Sequence, residues 1–199
     1  MFRILFNFRV ERTDNLEKAG TSFILAVNHV SYLDPISVFI ALPFRLKYIP
    51  LFYMSDDYFY KLLFFYRFTG AIRARKGRDL ELSSRPLIDK LDQGERVVIF
   101  PEGGINRGVS IKRRPRRGIS YVAAKSNKLI VPLKIESNFD SSVSVMGGSV
   151  IDLLTGRHWI KMVFGKPFKI EETIGMIPAS LSELRQASEG IFKRIENAK

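Results

Sequence analysis

The chain predicts an α/β fold, a mostly parallel central sheet flanked by helices, in a single domain spanning residues 1–199. Three observations predict it. Short apolar runs such as Phe23–Val27 and Val97–Phe100 have the length and composition of buried strands. Helix-length segments lie between such runs, and strands alternating with helices favour parallel pairing. No linker, repeat or low-complexity tract divides the sequence, and 199 residues at 46% hydrophobic content suffice for one sizeable core.

In order, residues 2–10 and 22–28 are expected as strands. Residues 35–42 are expected as a short helix, with Asp34 as its N-cap and Pro35 at the first helical position. A strand at 46–52 precedes a helix at 56–68, which Ser55 caps and Gly70 ends. From Tyr58 to Phe68 that helix is apolar and aromatic almost all round. Two placements stay open for it: buried in the core, or lying against anionic lipid with Lys61 and Arg67 at the interface. A short strand at 70–74 follows, then a helix at 79–92 with Pro86 as a place to bend. Strands at 95–100 and 129–136 enclose a helix near 118–126. Strands near 143–147 and 159–165 and a terminal helix from 180 to 197 complete the chain; Gly190 weakens that helix slightly.

Composition excludes several chemistries. With no cysteine there is no disulfide, thiol nucleophile or Cys-ligated zinc. His29 and His158 are the only histidines, too few for a multi-histidine metal site, so neither a metal nor a cofactor is expected. His158, beside Trp159, reads as structural. Thirty-two Lys and Arg against 20 Asp and Glu give a net charge of +12, which attracts anions. The partner that charge implies is an anionic membrane surface, a phosphorylated substrate, an acidic carrier protein or nucleic acid. The densest run, Lys112 to Arg117, is interrupted by Pro115 and reads as a solvated loop. No stretch reaches the roughly 20 apolar residues of a spanning helix. The first residues, Met1–Arg9, lack the long apolar core of a cleaved signal. The expected location is cytoplasmic, peripherally associated with the cytoplasmic face of the membrane.

Two loops carry the candidate chemistry. Asn28-His29-Val30-Ser31-Tyr32-Leu33-Asp34-Pro35 follows the apolar run Phe23–Val27 and places a carboxylate five residues after a histidine. A histidine held by a carboxylate suits a general base, because its unperturbed pKa of roughly 6.5 lets it take a proton near neutral pH. The structural alternative is a helix start, since Ser31-x-x-Asp34 resembles a capping box. The second loop, Pro101-Glu102-Gly103-Gly104, ends the run Val97–Phe100 and lets backbone approach a ligand closely. In an open α/β sheet, ligands bind at such strand C-terminal ends, so both loops can face one crevice.

These residues resemble the glycerolipid acyltransferase family typified by 1-acylglycerol-3-phosphate acyltransferase. Asn28-His29-x4-Asp34 is similar to its His-x4-Asp block, Gly70-Ala71-Ile72-Arg73-Ala74-Arg75 to its Gly-x4-Arg block, Phe100-Pro101-Glu102-Gly103 to its Phe-Pro-Glu-Gly block, and Val131-Pro132-Leu133 to its Val-Pro block. The four stand in the family's order and cover about residues 10 to 140. The resemblance implies transfer of a fatty acyl group from an acyl thioester, acyl-CoA or acyl carrier protein, to a lysophospholipid hydroxyl. It implies His29 as base, Asp34 as its orienting partner, and Arg75, Glu102, Gly103 and Arg107 at the substrates. Arg75 would hold the acceptor's phosphate, Glu102 would contact the glycerol part or brace the site, and backbone near Gly103-Gly104 would face the oxyanion. Phe64 and Phe65 would line an acyl groove.

Two departures bear on the acceptor. Gly104-Ile105 stands where many members carry Thr-Arg, and Arg73 stands where an apolar residue is usual. Lysophosphatidic acid, glycerol phosphate and other lysolipids all stay open as acceptors. Two rivals differ in class. A hydrolase would use the same base on water, although no Gly-x-Ser-x-Gly elbow occurs, Gly147-Gly148-Ser149-Val150-Ile151 lacking the last glycine. A basic module for membranes or nucleic acid explains the charge but not His29, Asp34 and Glu102. No nucleic acid partner is expected.

Overall fold

The computed structural model describes residues 7–31, 34–43, 50–55, 72–74, 79–105, 114–138 and 159–199. Its strands are β1 (Asn7–Glu11), β2 (Phe23–Val27), β3 (Pro50–Ser55), β4 (Ile72–Ala74), β5 (Arg96–Ile99), β6 (Leu129–Ser137) and β7 (Trp159–Phe164). Its helices are α1 (Asp14–Lys18), α2 (Asp34–Ala41), α3 (Leu80–Asp92), α4 (Gly118–Ser126), α5 (Glu171–Ile174) and α6 (Leu181–Glu196). The seven strands form one sheet in the order β1-β7-β6-β2-β5-β3-β4. Every neighbouring pair is parallel except β6 with β7. The α/β, mostly parallel architecture that the sequence predicts is therefore the one observed.

β2 lies at the centre and is buried at every position. Its side chains alternate between two apolar layers, as a pleated strand requires. Phe23, Leu25 and Val27 pack with Leu16 of α1 and Val38 and Ala41 of α2. Ile24 and Ala26 pack with Leu87 and Leu91 of α3, Val122 of α4 and Ile191 and Ile195 of α6. Helices thus cover both faces, which is why the central strand reads as a continuous apolar run.

The helix ends follow their caps. Ser180 and Glu183 form a reciprocal capping box that starts α6. The Asp79 side chain accepts from the Glu81 backbone at the start of α3, which contains Pro86. Asn127 takes a left-handed conformation, φ 50°, to close α4. Gly190 sits within α6 because α5 crosses there: a Cβ at this position would come within 2.9 Å of Thr173 Cβ.

Several expected boundaries shift. β1 runs from Asn7 to Glu11, beyond the expected end at residue 10. β3 runs on to Ser55, past the expected strand end at residue 52; the helix that Ser55 is expected to cap lies outside the described residues. The short helices α1 and α5 were not expected, and β7 runs antiparallel to β6. The aromatic helix at 56–68, the strand near 143–147, and Phe64, Phe65 and His158 lie outside the described residues. Among the described residues no helix is long and apolar enough to cross a membrane.

Candidate active site

The site forms where β2 and β5 end side by side. Their parallel register pairs Ile24 with Val97, Leu25 with Val98 and Ala26 with Ile99. Carried past the strand ends, the same register sets His29 opposite Glu102. The Glu102 carboxyl accepts a hydrogen bond from the His29 backbone N–H through Oε2, at 2.7 Å. Two loops separated by most of the β2–β5 connection are thereby joined into one wall.

On its other side β2 is tied to β6 beyond the last strand residue. The Asn28 amide donates to the Ile135 carbonyl at 2.9 Å and accepts from the Ile135 N–H at 2.6 Å. A side chain thus makes the rung that backbone would otherwise make, and the main chain is released to turn.

The turn is organised by Asp34, which is 2% exposed. Its Oδ2 atom receives the Val30 N–H at 2.7 Å, the Ser31 N–H at 2.8 Å and the His29 ring at Nδ1, 2.7 Å away. The Asp34 N–H in turn donates to the Ser31 carbonyl at 3.2 Å, so the Ser31–Asp34 turn is closed in both directions. The helix itself starts at Asp34, one residue before the expected 35, so Asp34 is its first residue rather than its N-cap, and its carboxyl reaches back to the turn and the His29 ring. With Asp34 accepting at Nδ1, that nitrogen carries the proton and Nε2 keeps its lone pair. The ring stacks on Phe100, centroids 4.4 Å apart, and its side chain is 16% exposed. A carboxylate on one side and an aromatic face on the other leave the imidazole one orientation, with Nε2 as the basic atom.

Glu102 is 2% exposed. Burial raises its carboxyl from 4.5 to about 8; the His29 N–H opposes the rise and the neighbouring Asp34 charge adds to it. Near pH 7 it is mostly the neutral acid, whose Oε2 still accepts from His29. Gly103 has φ +64°, a left-handed turn, and donates its N–H to the Phe100 carbonyl at 3.0 Å. That bond removes the Gly103 N–H from the candidate oxyanion donors. Arg75 and Arg107 lie outside the described residues. Among the described residues no group of three or more His, Cys, Asp or Glu is placed to hold a metal ion.

His29, Asp34, Glu102 and Gly103 are thus brought to one sheet end. Sequence reasoning assigned no role to Asn28 or Phe100, although both stand inside the quoted blocks and adjacency to His29 and Glu102 was the signal that could have found them. It placed Arg116 only within the solvated run Lys112 to Arg117, whereas the Arg116 N–H donates to the Pro101 carbonyl at 2.7 Å.

Comparison with known proteins identifies the family and the fold. Residues 7–136 match the protein family described as Acyltransferase. The fold is similar to the crystal structure of the 1-acyl-sn-glycerophosphate (LPA) acyltransferase PlsC from Thermotoga maritima. The TM-score is 0.64 at 18% identity, with 97% of this chain and 72% of that chain covered.

Proposed function

This chain belongs to the acyltransferase family, and we propose that it moves a fatty acyl group from an acyl thioester to a hydroxyl of a lysophospholipid such as 1-acylglycerol 3-phosphate. The observation that carries the reading is the 2.7 Å contact of His29 Nδ1 with Asp34 Oδ2. It leaves Nε2 as a base oriented by a buried carboxylate, the division of labour of a Ser–His–Asp site with the substrate supplying the hydroxyl.

In the proposed step Nε2 takes the proton of the acceptor hydroxyl while that oxygen attacks the thioester carbonyl. The tetrahedral adduct collapses to the new ester, and the imidazolium returns its proton to the departing sulfur. Asp34 stabilises the imidazolium; no acyl-enzyme and no metal are required. General-base action supplies roughly 10² to 10⁴ in rate, and the remainder comes from holding two substrates in line and stabilising the oxyanion. Glu102 braces the His29 backbone rather than acting as a charge. Arg75 and Arg107 are proposed phosphate contacts. The Thermotoga maritima protein of similar fold is a 1-acyl-sn-glycerophosphate acyltransferase, which supports this acceptor class. The net charge of +12 supports an anionic donor, acyl-CoA or acyl carrier protein, and attachment to an anionic membrane surface.

The test is acyl transfer by wild type and His29→Ala, with acyl-CoA and acyl-carrier-protein donors and a panel of lysolipid and glycerol-phosphate acceptors. Transfer that needs an acceptor and is lost in the variant establishes the reading. Equal release of free fatty acid with and without acceptor would replace it with a hydrolase. Folded wild type that binds anionic vesicles but transfers nothing would replace it with a binding module.

A further inference from the structure

The Arg116 side chain lies directly on Gly103. A Cβ added to that glycine would stand 2.5 Å from Arg116 Nε, 2.8 Å from Cδ and 2.9 Å from Cζ. Gly103 follows Glu102, the residue whose carboxyl holds the His29 backbone. The loop that braces the candidate base therefore carries a guanidinium on its neighbouring residue.

Arg116 is exposed, yet it is rooted in the core. Its N–H donates to Pro101 O at 2.7 Å and its carbonyl accepts from Ser188 Oγ at 3.1 Å. Ser188 Oγ bonds Ser120 Oγ at 2.9 Å, and Ser120 Oγ donates to Leu184 O at 2.7 Å. Both serines are fully buried. A solvated arginine on a loose loop has no such anchorage. The backbone position is fixed on two sides, and Gly103 leaves the space in which the guanidine group sits. Among the described residues no carboxylate pairs with it. A guanidinium anchored over Gly103, with no carboxylate partner among the described residues, presents the planar fork that phosphate oxygens accept.

We propose that Arg116 binds a phosphate group of one of the two substrates, presenting its guanidinium over Gly103, next to the residue whose carboxyl holds the His29 backbone. The inference rests on the acyl transfer proposed above. Two sources offer that chemistry: the acceptor's phosphate, and the phosphates of coenzyme A or of a carrier's phosphopantetheine.

The experiment compares wild type with Arg116→Ala and Arg116→Lys in a square of substrates. The acceptors are 1-acylglycerol 3-phosphate and the phosphate-free monoacylglycerol. The donors are acyl-CoA and a phosphate-free acyl-thioester of N-acetylcysteamine. Arg116→Ala is expected to raise KM for one phosphate-bearing substrate by about ten- to a hundred-fold, the range for losing a charge-assisted hydrogen bond, with kcat nearly kept. Arg116→Lys recovers part of the loss, since it keeps the charge but not the fork. The arm in which wild type loses its advantage names the source: monoacylglycerol if the acceptor's phosphate is held, the N-acetylcysteamine thioester if the donor's is. Equal KM in all proteins, or an equal loss on all four substrate pairs, overturns the inference while acyl transfer stands. Equilibrium binding of coenzyme A and of 1-acylglycerol 3-phosphate is measured calorimetrically in parallel. If wild type transfers nothing, the functional reading falls, and Arg116 is then judged by whether Arg116→Ala weakens either binding constant at least ten-fold.

Discussion

Glu102 and His29 are register partners carried past the ends of β2 and β5, with Glu102 Oε2 2.7 Å from the His29 nitrogen. The contact is made to backbone, and the carboxyl making it is buried and pushed up to about 8. Glu102 therefore acts near neutral pH as a hydrogen-bonding acid rather than as an anion. Glu102→Gln should keep the acceptor oxygen and retain acyl transfer within a few-fold at pH 7. Glu102→Ala leaves the His29 N–H without its partner and should lose about 1–3 kcal/mol of stability, together with most turnover. Steady-state rates and thermal unfolding of the two variants check the pair.

The same carboxyl gives stability a pH dependence of defined sign. Its folded value, about 8, exceeds its ordinary value of 4.5, so the folded state binds the proton more tightly. The stabilisation is fully present below about 4.5 and is lost as pH rises towards about 8. Urea unfolding across that window should show wild type losing stability relative to Glu102→Gln by an amount on the order of a few kcal/mol. A constant difference between the two proteins would contradict it.

Asp34→Asn should damage both turn and base. One oxygen now receives the His29 ring, Val30 N–H and Ser31 N–H; an amide oxygen in its place lacks the charge that strengthens all three bonds and stabilises an imidazolium. Turnover should fall by roughly 10² to 10⁴, as expected when a base loses its orienting partner. Unfolding should come earlier by about 1–3 kcal/mol. Paired kinetics and denaturation on one preparation separate the two effects.

Gly103→Ala meets two obstacles, φ +64° and the Arg116 guanidine group. The backbone strain alone should cost about 1–3 kcal/mol. Combining it with Arg116→Ala should relieve the contact but not the strain, so the double variant should be more stable than the two single losses added together. A double-mutant cycle by thermal unfolding reads the coupling directly.

The parts of this protein that a sequence shows are those whose environment is one-sided or locally specified. β2, β5 and β6 stand out because they are buried on both faces, and α6 because a capping box opens it. His29 and Asp34 were legible as a pair because they lie in one turn. The Glu102 bond to His29 was not, because it depends on the register of two strands distant in the chain; only the shared crevice was foreseeable. Arg116 reaches Gly103 through tertiary packing alone. α1 escaped notice because it is a short helix with one buried apolar residue near its centre, Leu16, and no periodic apolar face. The direction of β7 was not legible, because an apolar strand carries no mark of the sense in which it pairs.

Asn28 has a consequence for local opening. Loops at sheet ends ordinarily fray at little cost, because their last backbone bonds face water. Here the final rung between β2 and β6 is an amide closing both ways on Ile135, one residue before His29. The turn bearing His29 is therefore tethered at its start to a rung of the central sheet. Amide exchange at Ile135, and the pace at which the His29 turn fluctuates, should follow the slow cooperative unit of the sheet core rather than the fast motions of a surface loop.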